Sequence, residues 1–273
     1  MLMILAVMVA SISMLAFGEA RSSREQREAE ELKDLADGAI ETMLVRLTDP
    51  KPGGRPPSDG TPFVVSVAGR PVRLSIQDEM GLIDINRAPE ELLVRMLVSV
   101  GIDVDAAEAL SDKIMDWREP GEAKRLNGAK ADDYRAAGYL YGPRLGPFQS
   151  VDEIRLVIGM NSDLFDRISP LITVYSQTSV VEPNVAPAGV LKIVFGDDSG
   201  RIDQILESRQ RHVSNVDEEG AVTSPAEVPN PVGQVFRVSA EATSSHSSRR
   251  GRRSATVRIT GVSSAPWWTY RWN

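Results

Sequence analysis

The residue types that most often carry chemistry in proteins are scarce in this chain. Its 273 residues include no cysteine and only two histidines, His212 and His246. Thiol nucleophiles, zinc–thiolate sites, iron–sulfur clusters and disulfides are therefore excluded, and a histidine-based metal site or triad has little to draw on. The acidic pairs Asp132-Asp133 and Asp197-Asp198 lack a neighbouring histidine or an apolar pocket that would tune one carboxyl group as an acid. We therefore expect a protein that is not an enzyme.

The overall charge argues against a protein that coats nucleic acid. The chain has 31 Lys and Arg residues against 38 Asp and Glu residues, a net charge of -7. Its 42% hydrophobic and 25% charged residues are typical of a globular protein, and the length corresponds to one or two domains of ~150 residues. The arginines at 249, 250, 252 and 253 are expected in a solvated loop, with contact to anionic lipid or a partner as the alternative.

The N-terminal segment is the strongest feature of the sequence. Residues 1–18 carry no charge, and as a helix residues 1–17 would span ~26 Å, the short end of what crosses a bilayer core. We predict a transmembrane helix over residues 1–17. The alternative is a cleaved signal peptide, which needs a basic region ahead of the apolar run that is not seen here. Arginines and glutamates alternate after the run, so the positive-inside rule does not decide its orientation.

Residues 18–48 are predicted to continue this helix as an amphipathic segment. Between Glu19 and Thr48 there is no proline and a single glycine, Gly38. The apolar residues recur at alternating steps of three and one, the stripe of a helix with one buried face: Leu32, Leu35, Ala36, Ala39, Ile40, Met43, Leu44 and Leu47. One rod of ~70 Å from Met1 to Thr48 is favoured over two helices that meet near Gly18. The prolines and glycines between 50 and 57 end it.

The remaining periodicities predict a sheet interrupted by helices. Phe63–Ala68 and Val72–Gln77 form a predicted hairpin that the stripe of the N-terminal helix would cover, and Gln234–Ala240 and Ser254–Gly261 are further strand-like runs. Residues 49–80 and 228–273 are thus assigned to a β-sheet, and residues 84–212 to an inserted α-helical region. Trp267, Trp268, Tyr270 and Trp272 are expected to pack on the sheet edge in a short last strand; two of them exposed together would indicate a subunit contact.

The inserted region contains a short motif that occurs twice. Asn86-Arg87-Ala88-Pro89 and Asn184-Val185-Ala186-Pro187 each precede a helical pattern, which fits two helical hairpin units, 84–172 and 184–212, although a match of four residues can arise by chance. Asp105 with Glu108, and Ser150 with Glu153, have the spacing of capping boxes at helix starts. Asn86 and Asn184 are expected to bond to local backbone groups.

Taken in order, several short motifs resemble one family. They are the apolar N-terminal helix, Gly81-Leu82-Ile83-Asp84-Ile85-Asn86-Arg87-Ala88, Asp116-Trp117, Gly128-Ala129 before Tyr134, Pro147-Phe148-Gln149-Ser150-Val151-Asp152-Glu153-Ile154, Pro170-Leu171-Ile172-Thr173-Val174-Tyr175 and Asn184-Val185-Ala186-Pro187. Together they resemble the minor pseudopilin K family of bacterial type II secretion, general secretion pathway protein K. The resemblance implies an α+β, pilin-like fold, in which a long N-terminal helix packs on an antiparallel sheet and a large α-helical (SAM-like or helix-hairpin) insertion interrupts the sheet.

The resemblance also implies a role and partners. It places the chain in the bacterial inner membrane as a single-pass protein with its globular part in the periplasm, at the tip of the type II secretion pseudopilus. There it would initiate assembly and assist export of folded proteins across the outer membrane. The implied partners are the minor pseudopilins I and J, the major pseudopilin and the inner membrane. The residues expected to be shared between the chain's own sheet and neighbouring helices are Leu32, Leu35, Ala36, Ala39, Ile40 and Met43.

The chain departs from the family pattern at its start. Prepilins carry a short basic leader and a glycine before the apolar run, which a prepilin peptidase cuts, and neither precedes Met1. We therefore expect either that the true start lies upstream or that part of the apolar segment is missing. The family also lacks the glutamate found early in ordinary pilin helices, and no acid occurs here before Glu19, which is consistent with a tip position.

Some members of the family bind calcium in the inserted domain. The matching candidates here are Asp116, Glu119 and Asp133, but Gly121 and Lys130 stand where the family pattern leads us to expect acids. A Ca²⁺ site needs about six to eight oxygen ligands, so we favour a solvated acidic loop over a metal site and keep calcium as a possible cofactor.

A membrane-anchored helix-hairpin-helix protein that binds DNA is the alternative function. Helix pairs introduced by Asn-x-Ala-Pro also resemble such modules, which place backbone amides and basic residues against phosphates. Residues 84–172 contain 11 Lys and Arg against 16 Asp and Glu, a net charge of -5 that would repel a polyanion. We therefore expect no nucleic acid among the partners.

Overall fold

The computed structural model describes the backbone of residues 2–48, 56–214, 231–245 and 247–273, and the side chains of the same ranges except residues 2–23 and 210–214. The chain order is α1 (Leu2–Thr48), β1 (Phe63–Val67), β2 (Arg70–Asp78), β3 (Ile83–Asp84), α2 (Glu90–Ser99), α3 (Val104–Arg118), α4 (Ala131–Ala136), a 3₁₀ helix (Val151–Leu156), α5 (Ser162–Ile168), β4 (Ile172–Thr173), α6 (Ala188–Phe195), α7 (Ser199–Ser214), β5 (Val235–Thr243), β6 (Arg250–Val262) and β7 (Ala265–Trp272).

Helix α1 is a single uninterrupted rod of 47 residues. This confirms the predicted continuous helix, and the alternative of two helices meeting near Gly18 is wrong. Where side chains are described, no helix is both long and apolar enough to cross a membrane. The side chains of the predicted transmembrane segment, residues 1–17, lie outside that part of the chain, as do the predicted helix-ending residues 49–55.

Five antiparallel strands form the sheet on which α1 lies. Their order is β1-β2-β5-β6-β7, and Val72, Leu74 and Ile76 of β2 point at the helix with the period of two that a half-buried strand requires. The apolar stripe of α1 packs on this face together with Val238 of β5 and Val257 of β6. Helix α1 and the sheet are thus the two layers of the pilin-like fold, and their contact buries the apolar stripe predicted from the sequence.

Gly251 in β6 is what lets the sheet approach α1 so closely. A Cβ atom built on Gly251 would lie 2.5 Å from the backbone carbon of Leu32, far inside van der Waals contact. Any other residue here would push the strand away from the helix and open the core around Leu32.

The helical insertion separates β2 from β5. Its core is distinct from that of the sheet and is built around fully buried residues such as Leu93, Met96, Ile114 and Tyr134. The short strands β3 and β4 pair in parallel, Ile83 with Ile172 and Asp84 with Thr173, and so tie the start of the insertion to residue 173.

Both copies of the Asn-x-Ala-Pro motif precede a helix. Pro89 and Pro187 are the extended residues just before α2 and α6, and each helix packs on the one that follows it, α3 and α7 respectively. Each motif therefore introduces a pair of packed helices, and the division of the insertion into two units, 84–172 and 184–212, stays a prediction. The start of α3 was misplaced by two residues, since the capping side chain is Asp103, which accepts a hydrogen bond from the backbone N–H of Asp105.

Candidate functional site

The residues predicted to be shared with partner subunits lie in the chain's own core. Leu32, Ala36, Ala39, Ile40 and Met43 are fully buried against the sheet. Leu35 is partly buried at the margin of the same core. These side chains therefore leave α1's opposite face as the surface on which another helix can lie.

The middle of that opposite face of α1 is acidic, with Arg27 exposed before it and Arg46 exposed after it. Glu31, Asp34 and Glu41 are exposed along it, and Val45 is 60% exposed one turn beyond Glu41. A neighbouring helix packed on the stretch from Glu31 to Glu41 would meet carboxylates rather than an apolar stripe, so basic residues on that part of the neighbouring helix would be favoured.

The hairpin between β5 and β6 holds α1 where the rod leaves the sheet. The guanidinium of Arg249 is 2.7 Å from the Glu25 carboxylate, and it also donates a hydrogen bond of 2.8 Å to the Glu25 backbone carbonyl. Further along the helix, Arg253 lies 3.1 Å from Asp37, and the indole N–H of Trp272 donates to the same carboxylate at 2.9 Å. The rod and the head are therefore mechanically connected by polar contacts as well as by the apolar core.

The basic run at residues 249–253 is not a solvated loop, contrary to the sequence expectation. Arg250 opens strand β6, and its guanidinium lies 3.1 Å from Glu241 of β5, which also pairs with Arg252. With Arg249 and Arg253 bound to α1, all four arginines of the run have a carboxylate partner within the chain.

The acidic loop between α3 and α4 brings the three predicted metal ligands into one region. Asp116 is buried, and its carboxylate accepts a hydrogen bond from the backbone N–H of Arg125 at 3.3 Å. Glu119 lies 3.2 Å from the Arg125 guanidinium. Asp133 caps α4 by accepting from the backbone N–H of Lys130 at 2.8 Å.

Each of these three carboxylates has a cation of the chain itself as its neighbour. Lys130 is buried, and its ammonium lies 3.6 Å from the Asp116 carboxylate and donates to the Asp116 backbone carbonyl at 3.0 Å. Lys124 lies 2.9 Å from Asp133, and Arg125 is held between Glu119 and Glu90, 2.8 Å away on α2. The loop is thus folded around ammonium and guanidinium groups.

This donor set does not fit a calcium ion. Among the residues that the structure describes, no three acidic or histidine side chains are grouped closely enough to hold a metal. A divalent cation next to Asp116 would lie beside the Lys130 ammonium, and the two positive charges would repel each other. A Cβ on Gly128 would lie 1.8 Å from the Asp116 carboxylate, so the loop backbone closes directly over the same buried oxygen.

A buried ion pair that the sequence did not reveal fastens the insertion to the sheet. Glu79, the residue that follows β2, is almost fully buried, and Arg237 of β5 approaches both of its carboxylate oxygens, at 2.9 and 3.2 Å. The same guanidinium donates to the backbone carbonyl of Ile172 in β4 at 3.2 Å. Burial raises the pKa of Glu79, and the charge of Arg237 opposes that shift.

The neighbouring Asp78 is a second buried acid whose pKa is raised. Burial, helped by the negative charges of Glu79 and Glu182, raises its pKa from 3.8 to about 6, although the N–H of Met80 donates to its carboxylate. A carboxyl group with a raised pKa binds more protons in the folded than in the unfolded chain between about pH 4 and 6. The contribution of Asp78 to stability therefore falls as the pH rises through this window and stays low above it.

Two polar residues of the family motifs make long-range contacts that the local patterns did not predict. Asn86 exchanges two hydrogen bonds with the backbone of Phe148, at 2.7 and 3.0 Å, so the expected bond to a local backbone group is wrong for Asn86. The side-chain amide of Asn184 donates to the Glu182 carboxylate at 2.9 Å, a local contact that is made with a side chain and not with the backbone. Glu153, predicted as a capping residue, accepts a hydrogen bond from the nearby backbone N–H of Gln149 at 2.7 Å and also one from the indole N–H of Trp117 at 3.1 Å. The motif residues thus hold the insertion's core together.

The turns of the predicted DNA-binding units show no phosphate-binding architecture of their own. Each contains one glycine with positive φ, Gly101 and Gly159. The carbonyl of Val100 in the first turn accepts a hydrogen bond from the guanidinium of Arg167, which also pairs with Asp163. This arginine is therefore already engaged within the insertion.

The C-terminal aromatic residues lie on β7 at the edge of the sheet, as expected. Trp267 packs against the sheet core. The side chains of Trp268, Tyr270 and Trp272 are 66%, 42% and 39% exposed, respectively. Several aromatic side chains are therefore exposed on the same strand. Exposure of two of them was the feature expected to indicate a subunit contact.

The sequence of the chain is similar to known proteins of one family. A family model described as type II secretion system (T2SS), protein K, matches residues 74–177. Type II secretion system protein K of Pseudomonas aeruginosa is 24% identical over 161 residues, which cover 55% of this chain and 48% of that protein. The corresponding protein of Klebsiella pneumoniae is 34% identical over 131 residues, 44% of this chain and 39% of that protein. The chain spans less than half the length of these two curated relatives.

Among solved structures, a chain of the GspK-GspI-GspJ complex from the enterotoxigenic Escherichia coli type 2 secretion system has the same fold. The superposition covers 93% of this chain and 98% of that chain with a TM-score of 0.57 and 13% sequence identity. The resemblance to protein K of type II secretion is thus confirmed, and the superposition shows the α+β, pilin-like fold.

Proposed function

We propose that this chain is the minor pseudopilin K of a type II secretion system, a structural subunit and not an enzyme. Residues 1–17 anchor it in the inner membrane as a single-pass protein with its globular part in the periplasm. At the tip of the pseudopilus it assembles with the minor pseudopilins I and J above the major pseudopilin, initiates assembly and assists export of folded proteins across the outer membrane. If the true start lies upstream, a prepilin peptidase processes it.

One observation carries the proposal: a continuous 47-residue helix packs on an antiparallel sheet that a helical insertion interrupts between β2 and β5. The polar contacts of Arg249 and Arg253 fix the rod to the head near its exit from the sheet. A push along the rod is therefore transmitted to the head, which is what a subunit at the end of a fibre requires.

The register of the sheet allows the insertion to be removed cleanly. Asp78 at the end of β2 is paired directly with Phe236 of β5, so a hairpin turn of about four residues can replace residues 79–235. We expect this variant to reach the inner membrane at normal levels while secretion is lost. Secretion of substrates at the wild-type rate would contradict a tip function for the insertion.

We also propose that the loop between α3 and α4 uses Lys130 and Arg125 in place of a divalent cation. The two side chains supply the positive charge that the buried Asp116 and the half-exposed Glu119 require. Titration of the detergent-solubilised protein with Ca²⁺ in a calorimeter tests this. We expect no heat of binding up to millimolar Ca²⁺, and binding in that range would refute it.

A gel-shift assay with duplex DNA at low salt tests the DNA-binding alternative, because electrostatic binding to DNA is strongest at low salt. We expect no tight binding to duplex DNA, given the net charge of -5 across residues 84–172. Tight binding would favour the alternative function.

A further inference from the structure

The free edge of β7 has the chemistry of a site for an added strand. Strand β7 is eight residues long and pairs on one side with β6; in the part of the chain that the structure describes, its other side has no strand partner. Its backbone N–H and C=O groups on that side are therefore available for another extended chain.

Natural edge strands are usually protected by charge, proline or short length, and β7 has little of this protection. Pro266 lies near its start, and its single charged residue, Arg271, is bound to Asp152 of the insertion. The strand instead exposes large aromatic side chains, with Trp268 66% exposed. Tryptophan and tyrosine are the residues most enriched at the energetic centres of protein interfaces.

The side chains around Trp268 indicate which added strand would fit. Arg258 of β6 is the register partner of Trp268 and so lies beside it on the same face. Its guanidinium lies over the ring of Tyr270 at 6.0 Å, and its Nε is buried without a hydrogen-bond partner. Among the described residues no carboxylate lies within ion-pair distance of Arg258, although Arg250, Arg252 and Arg253 of the same strand and Arg271 of β7 each have one.

We propose that the edge of β7 binds an extended segment of a partner polypeptide that carries a carboxylate toward Arg258 and an apolar side chain over Trp268. The added segment would extend the sheet to a sixth strand, with backbone hydrogen bonds providing affinity and the Arg258–carboxylate pair providing selectivity. The proposal goes beyond the assembly role and stands without it, because it depends on the sheet edge alone.

Labelled octapeptides of alternating valine and threonine, with a central glutamate or a central lysine, test the proposal in fluorescence anisotropy with the full-length protein in detergent. We expect the glutamate peptide to bind about tenfold more tightly than the lysine peptide, the effect of one ion pair of moderate strength. Proline at alternate positions of the glutamate peptide should abolish binding, because it removes the N–H groups that face β7.

Three variants make the result specific. Arg258→Glu should reverse the preference to the lysine peptide. Trp268→Ser, at a surface position that the fold does not need, should weaken both peptides, whereas Val64→Ser on the opposite edge strand β1, where Val64 is 67% exposed, should change neither.

Equal binding of the glutamate and lysine peptides, or equal losses from Trp268→Ser and Val64→Ser, would overturn the proposal. So would self-association of the protein that Trp268→Ser abolishes, because the occupant would then be a second copy. No binding at peptide concentrations up to about 1 mM would overturn it as well. Failure to bind minor pseudopilins I and J would leave this result unaffected, so the two proposals fail separately.

Discussion

Replacing Lys130 by methionine removes the buried cation around which the loop between α3 and α4 is folded. The Asp116 side chain is 1% exposed and that of Lys130 is 9% exposed, so Lys130→Met leaves a carboxylate buried without its counter-charge. Breaking a buried pair in this way costs about 3–5 kcal/mol. For a chain of this size, that corresponds to a fall in Tm of roughly 6–20 °C, at about 2–4 °C per kcal/mol.

The assay is thermal unfolding of the detergent-solubilised protein, followed by tryptophan fluorescence, with hydrogen exchange over residues 116–134 as the local readout. The double variant Lys130→Met with Asp116→Asn should regain part of the loss, because it removes both charges together. Lys124→Met is the matched control: its ion pair with Asp133 has side chains that are 46% and 36% exposed, so its loss should cost less than about 1 kcal/mol.

The effect of Ca²⁺ on thermal stability distinguishes stabilisation of the loop by Lys130 from stabilisation by a bound metal ion. A site occupied at a hundredfold excess over its Kd would add about 2.7 kcal/mol of stability, which is visible as a shift in Tm. We expect the wild-type Tm to be the same in EDTA and in millimolar Ca²⁺. A stabilising effect of Ca²⁺, or a Lys130→Met variant as stable as Lys124→Met, would refute the internal-cation account.

Three further predictions concern the sheet and its junction with the insertion. Asp78→Asn should remove the fall in stability between about pH 4 and 6 and should stabilise the protein at pH 7 by on the order of 3 kcal/mol, because each pKa unit corresponds to ~1.4 kcal/mol. Equal urea midpoints for variant and wild type at pH 7 would contradict the raised pKa of Asp78. Arg237→Gln should cost about 3–5 kcal/mol by stranding Glu79 and speed proteolysis at the junction, whereas resistance equal to wild type would contradict the clamp. Ile40→Glu should destabilise the head by several kcal/mol, while Val45→Glu on the exposed face should not; equal chemical denaturation curves would contradict the assigned buried face.

Local periodicity was sufficient to predict the main layers of the fold. The steps of three and one between Leu32 and Leu47 predicted which face of α1 the sheet covers, and alternation in Val72–Gln77 predicted β2, because burial of one face imposes these periods directly. The family motifs predicted the insertion between the strands. Strands β1, β2, β5 and β6 begin and end within about four residues of the predicted runs, and the last strand, Ala265–Trp272, was expected to be short. The short strands β3 and β4 and the helices α4 and α5 were not predicted.

The polar contacts of the candidate sites could not be predicted in the same way. Glu79 and Arg237 are 158 residues apart, and Asn86 and Phe148 are 62 apart, so no local spacing connects them. Lysine is ordinarily a surface residue, and the burial of Lys130 depends on how the following helix turns back over Asp116. Exposure of Trp268 likewise depends on which strand ends the sheet, a property of the tertiary topology.

Co-purification of the full-length chain with minor pseudopilins I and J, solubilised together from the membrane, tests the central claim most directly. We predict that the three proteins elute as one complex in size-exclusion chromatography. Elution of this chain alone, while I and J remain bound to each other, would contradict its assignment as the tip subunit.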